Sequence, residues 1–122
     1  MPAKILLIEP DDICRKLVSQ RLSISGYHVI STSDGKSALQ LAAEKKPDAV
    51  ISELDLSQVS GLQFCQTIKQ DTQTAHIPVI FLTYKQMLQD KLAAFEAGAA
   101  DYITKPFSLA ELEARLNVVL QK

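Results

Sequence analysis

The feature that most narrows the fold is an alternation that runs the length of the chain. Short uncharged apolar runs, each cut off by turn residues, are followed by segments whose apolar residues recur at helical spacing. Lys4-Ile5-Leu6-Leu7-Ile8, the run opening at Ala49-Val50-Ile51, and Ile77-Pro78-Val79-Ile80-Phe81-Leu82 are strand length and lack polar alternation. That pattern marks strands covered on both faces. Tyr27 to Thr32 is β-prone, and Ala99-Ala100-Asp101-Tyr102-Ile103-Thr104 supplies a fifth strand that Lys105-Pro106 breaks.

The intervening segments read as five helices. Ile13, Leu17, Val18, Leu22 and Ile24 share a periodic stripe stopped at Gly26, and Ala38, Leu39, Leu41 and Ala42 form a second helix that Lys45-Lys46-Pro47 ends. Leu62, Phe64, Cys65 and Ile68 mark a third, running up to Asp71 before the polar loop Gln70 to Ala75. Met87, Leu88, Leu92, Ala93, Phe95 and Glu96 form an amphipathic fourth, stopped at Gly98, and Leu109, Leu112, Leu116 and Val119 a fifth. Ser33-Asp34-Gly35 offers a cap to the second helix and Ser108-Leu109-Ala110-Glu111 a capping box to the last.

Right-handed crossovers between parallel strands place such helices on both faces of one sheet. The predicted fold is α/β, a doubly wound five-stranded parallel sheet of order 2-1-3-4-5, flavodoxin-like, with its switch point between the strands ending at Ile8 and Glu53. Ligands of open α/β sheets collect outside the carboxyl ends of the strands. The turn Glu9-Pro10-Asp11, then Glu53, Thr83 and Lys105, all fall on that rim.

Composition limits the function classes. At 122 residues the chain reads as one domain, 1–122, without a linker or internal repeat. Thirteen basic against 14 acidic residues give a net charge of -1 and no basic stripe, which argues against nucleic-acid binding by this domain itself. No apolar run is membrane length, and Met1-Pro2-Ala3-Lys4 leads into only four apolar residues before Glu9, unlike a signal peptide. A cytoplasmic location is the expectation. Cys14 and Cys65 lie in different helices without metal or redox spacing and read as buried reduced thiols. His28 and His76 lack partners at metal spacing and read as surface or strand-edge residues.

Pro47-Asp48, Glu53, Gly61, Leu82-Thr83, Glu96-Ala97-Gly98-Ala99-Ala100-Asp101-Tyr102 and Lys105-Pro106-Phe107 stand in an order and at spacings that resemble the receiver domain of two-component response regulators, over essentially the whole chain. The resemblance implies that Glu53 occupies the phospho-acceptor position, normally an aspartate, and that Glu9 is the first member of an acidic pair that holds Mg²⁺ with the acceptor. Asp55 would supply a backbone carbonyl to the metal. Thr83 and Lys105 would contact the phosphoryl group, Tyr102 would be the aromatic switch, and Lys105-Pro106 would be cis.

Two residues depart from that pattern. Pro10 stands where the second acid, a principal metal ligand, belongs, and proline offers neither a carboxylate nor an N–H. Glu53 is one methylene longer than aspartate, and a displacement of about 1 Å can cost on the order of a hundredfold in rate. Weak Mg²⁺ binding and no resident cofactor are therefore expected. Asp55 could serve as a displaced acceptor if the strand ran on through it, and Asp11 could either replace the missing ligand or cap the first helix.

Three functions compete. The first is an atypical, phosphorylation-independent interaction module, not an enzyme, in which Glu53 pairs with Lys105 in a constitutive state and meets a histidine kinase or an output domain. Its partner face would be the fourth helix, fifth strand and fifth helix, through which a homodimer could also form. The second is a working receiver that takes a phosphoryl group from a histidine kinase with Mg²⁺ and hydrolyses it. The third, small-ligand binding, suits the sequence least, because the Glu9 to Asp12 loop is acidic where a phosphate cradle needs glycines.

Overall fold

The uncharged runs become the interior of the sheet. Every residue of β3 (Ala49–Ser52) and β4 (Val79–Thr83) is buried, as are all of β1 (Lys4–Ile8) after Lys4, whereas edge strand β2 (His28–Thr32) stays partly open. The fold is that of a computed structural model, which describes residues 2–121. With β5 (Asp101–Thr104) the strands form one parallel sheet of order β2-β1-β3-β4-β5, alternating with α1 (Asp12–Ile24), α2 (Gly35–Lys45), α3 (Gly61–Gln70), α4 (Leu88–Glu96) and α5 (Leu109–Leu120). This is the flavodoxin-like arrangement that the alternation predicts.

Because strand side chains alternate in direction, the sheet carries two separate cores. Leu6, Ile8, Val50, Val79 and Phe81 pack with residues of α2 and α3 and with Ala94 of α4. Ile5, Leu7, Ile51, Ile80 and Leu82 pack with Val18 and Leu22 of α1 and Leu112 and Leu116 of α5.

Several local expectations need correction. The α1 stripe is only half used: Val18 and Leu22 are buried, but Ile13, Leu17 and Ile24 are 73%, 51% and 84% exposed. Periodicity identifies a face that could be covered, and the sheet and α5 cover only its inner side. Cys14 is likewise only half-buried, while Cys65 is fully buried; both are free thiols. In α4 the small Ala94 alone reaches the core, and Leu88, Leu92 and Phe95 face solvent. The strand through Ala49 ends at Ser52, so Asp55 lies beyond it in an exposed loop.

Caps fix where the helices start. Asp11 accepts from the N–H groups of Ile13 and Cys14, Asp34 from Ser37, and Ser108 from Glu111. Ser60 and Gln63 form a reciprocal capping box on α3 that the sequence reading passed over. Gly61, next to Ser60, must be glycine because a Cβ there would meet the Glu53 carbonyl oxygen at 2.4 Å. The start of α3 is thereby pressed against the backbone of Glu53.

Candidate functional site

Register brings the rim residues together. Ile8 pairs with Ser52, so Glu9 and Glu53 leave adjacent strand ends side by side, and the Glu53 N–H donates to the Ile8 carbonyl at 3.0 Å. On the other side Thr83 pairs with Thr104, and the N–H of Lys105 donates to the Thr83 carbonyl at 2.7 Å. The Lys105-Pro106 peptide is cis.

The Lys105 ammonium lies between the two glutamates, 2.7 Å from Glu9 Oε1 and 3.1 Å from Glu53 Oε1. All three side chains are almost fully buried. The remaining carboxylate oxygens are also engaged: Glu9 Oε2 accepts from the Asp11 N–H at 3.1 Å, and Glu53 Oε2 accepts from the Leu54 and Asp55 N–H groups at 2.6 and 3.3 Å. Burial works against the charged ammonium, but the hydrogen bond and charge of Glu9, followed by those of Glu53, outweigh it and raise the Lys105 pKa above the ordinary lysine value. Two carboxylates here share one ammonium. Tyr84 places its ring centroid 5.4 Å from the same nitrogen.

A second group of contacts leads away from the rim. Thr83 is buried, and its Oγ1 accepts from the Lys85 N–H at 3.3 Å. Tyr102 is turned inward, 9% exposed, and its hydroxyl donates to the Lys85 carbonyl at 2.6 Å. Burial, then the charges of Asp90, Glu53 and Asp55, push the Tyr102 pKa up to about 12. Lys85 Nζ meets Asp55 at 3.1 Å, so one lysine touches the loops that follow β3 and β4. Lys85 escaped the sequence reading because an isolated lysine in a loop carries no periodic or motif signal; its place two residues past Thr83 is the only clue.

The sequence candidates therefore divide. Glu9, Glu53 and Lys105 converge; Thr83 and Tyr102 join through Lys85 rather than through each other; Asp55 is drawn outward to Lys85, away from the face of Glu53. Asp11 spends its carboxylate on the α1 cap, whose Cys14 N–H, ahead of that of Ile13, lowers its pKa. Pro10 is exposed and contributes no donor.

Mg²⁺ demands near-octahedral oxygen ligands at about 2.0–2.1 Å. Every carboxylate oxygen of Glu9 and Glu53 already faces an ammonium or N–H donor, and neither Pro10 nor Asp11 adds another. The residues at this rim do not fit the ion. Among the described residues no group of three or more His, Cys, Asp or Glu is placed to hold a metal.

The sequence pattern of the response regulator receiver domain matches residues 5–117. The chain belongs to this receiver family. Among curated proteins it is 40% identical over 119 residues to the DNA-binding dual master transcriptional regulator RpaA of Synechocystis sp., covering 98% of this chain and 49% of RpaA. It is 34% identical over 122 residues to response regulator MprA of Mycolicibacterium vanbaalenii, covering 100% of this chain and 52% of MprA. This receiver thus spans about half the length of the curated relatives it matches. Among solved structures, a putative response regulator from Chloroflexus aurantiacus superposes with a TM-score of 0.95 at 33% identity over the whole of both chains. The receiver domain of sensor histidine kinase PA1611 from Pseudomonas aeruginosa, which has a magnesium ion coordinated in its active site cleft, gives 0.92 at 27% identity, again over both chains. No helix among the described residues is long and apolar enough to cross a membrane.

Proposed function

We propose that this receiver is a constitutive protein-interaction module that works without aspartyl phosphorylation. The observation that carries the reading is the Lys105 ammonium held between Glu9 and Glu53. Glu53 stands at the acceptor position with both carboxylate oxygens already bonded, and the neighbouring position that should supply a metal-binding carboxylate holds Pro10. Phosphoryl transfer depends on positioning and on neutralising phosphoryl charge, and this rim provides neither a free acceptor oxygen nor a place for the ion. The inward Tyr102 on the Lys85 carbonyl supports a single fixed state of the loop before α4.

In this reading the cytoplasmic partner is a protein: an output domain in a longer regulator, in line with the transcriptional regulators it resembles, or a histidine kinase. It docks on the α4-β5-α5 face, where Leu88, Leu92 and Phe95 are exposed. The test is the intact mass after incubation with acetyl phosphate and Mg²⁺, beside a Pro10→Asp/Glu53→Asp variant. The natural chain should stay unmodified while the restored variant gains one phosphoryl group. A mass gain on the natural chain sinks the proposal and makes it a working receiver, with the modified carboxylate, Glu53 or Asp55, identified by peptide mapping.

A further inference from the structure

The two outer strands of the sheet are finished in different ways. β5 opens on Asp101, whose carboxylate takes the Arg115 guanidinium at 3.1 Å, and Lys105-Pro106 follows it. A charge and a proline are common guards of a sheet edge. β2 has neither. From Gly26 to Ser33 there is no Asp, Glu, Lys, Arg or Pro, and the strand pairs with β1 from His28 to Thr32 without a bulge. Val29 and Ile30 are half-buried, each against one of the two cores, and Ser31 is exposed.

Parity decides which groups this edge offers. The His28 N–H donates to the Ala3 carbonyl at 2.9 Å, and the Thr32 carbonyl accepts from the Glu9 N–H at 3.0 Å. In a parallel ladder His28, Ile30 and Thr32 therefore spend their backbone groups on β1. Val29 and Ser31 alternate with them and point N–H and C=O away from the sheet, where no partner meets them among the described residues.

We propose that β2 is a self-pairing edge, on which a second copy of this chain adds its own β2 antiparallel, about a twofold axis through Ile30. The Val29 N–H then meets the Ser31 carbonyl of the second copy and the Ser31 N–H its Val29 carbonyl. The twofold returns both bonds, so every outward group is used and the contact closes on itself. Ile30 stands opposite Ile30 of the second copy in the closely spaced type of pair and carries the α2 side of the core across the axis. The edge brings no like charges together. A strand edge of 5 residues covers less than the roughly 1,000 Å² of a stable interface, so the dimer is reversible, with a dissociation constant on the order of 100 μM. No rim residue takes part, and the inference stands apart from the phosphorylation-independent reading.

Residue-resolved amide hydrogen exchange on the natural chain reads the edge directly. Between about 20 μM and about 1 mM protein, exchange at Val29 and Ser31 should slow roughly fourfold as the dimer fills. Sedimentation velocity then compares Ser31→Pro and Ser31→Lys, both in the Leu88→Glu/Leu92→Glu background, which keeps the exposed α4 residues out of the comparison. Proline removes an outward N–H that β1 does not use, a place where an edge strand tolerates it, and lysine adds a charge while leaving the backbone whole. Each substitution should weaken association at least about tenfold, because the dimer suffers it twice. If Ser31→Pro does not fold, Ser31→Lys decides alone. Exchange at Val29 and Ser31 that ignores concentration, or a folded Ser31→Lys protein that associates as tightly as its background, overturns the proposal.

Discussion

Tyr102 gives the site a signature in alkali. Its hydroxyl is committed to the Lys85 carbonyl, and its pKa stands at about 12 against an ordinary 10.0, raised first by burial. A group that holds its proton more tightly when folded loses stability as the pH climbs past its unfolded value, because the unfolded chain releases the proton first. For Tyr102 that window runs from 10.0 to about 12. Lys105 acts in the same direction: its stabilising charge is fully present below the unfolded value of 10.5 and is lost as the pH rises through its raised folded value. Urea unfolding from about pH 9 to about pH 11 should therefore show a falling stability. Tyr102→Phe should lessen the fall by about 1 kcal/mol, leaving the shares of the other groups whose pKa is raised, Cys14 (pushed by burial up to about 11) and Cys65 with Tyr27, Lys85 and Lys105. At neutral pH the same variant should cost about 1 kcal/mol, because the Lys85 carbonyl loses its donor. An alkaline limb unchanged by the substitution would remove Tyr102 from this account.

Elements set how closely the Glu53 backbone is held. The start of α3 lies against the strand end, and Gly61→Ala would drive a Cβ to 2.4 Å from the Glu53 carbonyl oxygen and 2.9 Å from Leu54 Cα, both backbone atoms that cannot swing aside. The substitution should destabilise by about 1–3 kcal/mol, the usual penalty of forced overpacking. It should also speed amide hydrogen exchange at Leu54 and Asp55, whose N–H groups bond the Glu53 carboxylate. Unfolding midpoints and exchange rates measure the two effects separately. At this scale the chain was most readable: among the described residues, apolar runs located β1, β3 and β4, because burial on both faces of a parallel sheet leaves that mark, β-prone segments between turn residues located β2 and β5, and helical spacing located the five helices. The exposure of Ile13, Leu17 and Ile24 was not readable, since it depends on which side of α1 meets α5 and the sheet. The site divided in the same way. Spacing along the chain brought Glu9, Glu53 and Lys105 to one rim, and Glu53 with Lys105 was an expected pair. The share that Glu9 takes of the ammonium and the reach of Lys85 to Asp55, Thr83 and Tyr102 are set by loop geometry that no periodicity encodes.

For the whole molecule, the question is what the exposed side of α4 meets. Leu88, Leu92 and Phe95 recur at helical intervals and are 70%, 51% and 48% exposed, an apolar stripe on a helix that gives the core only Ala94. Stripes of this kind mark interaction surfaces more often than isolated exposed leucines do. The loop leading into α4 is held by Lys85, whose carbonyl takes the Tyr102 hydroxyl and whose ammonium takes Asp55, and under the proposed function the stripe is presented without any input at the rim. If a second copy covers it, sedimentation velocity should show a reversible dimer in roughly the micromolar range or weaker, as a small interface allows. Leu88→Glu/Leu92→Glu should raise its dissociation constant at least about tenfold, a loss of about 1.4 kcal/mol. Adding acetyl phosphate and Mg²⁺ should leave the association of the natural chain where it was. Dimerisation that appears only with the phosphoryl donor would mean that the rim still controls α4. An unchanged dissociation constant in the double variant would move the interface off this helix altogether.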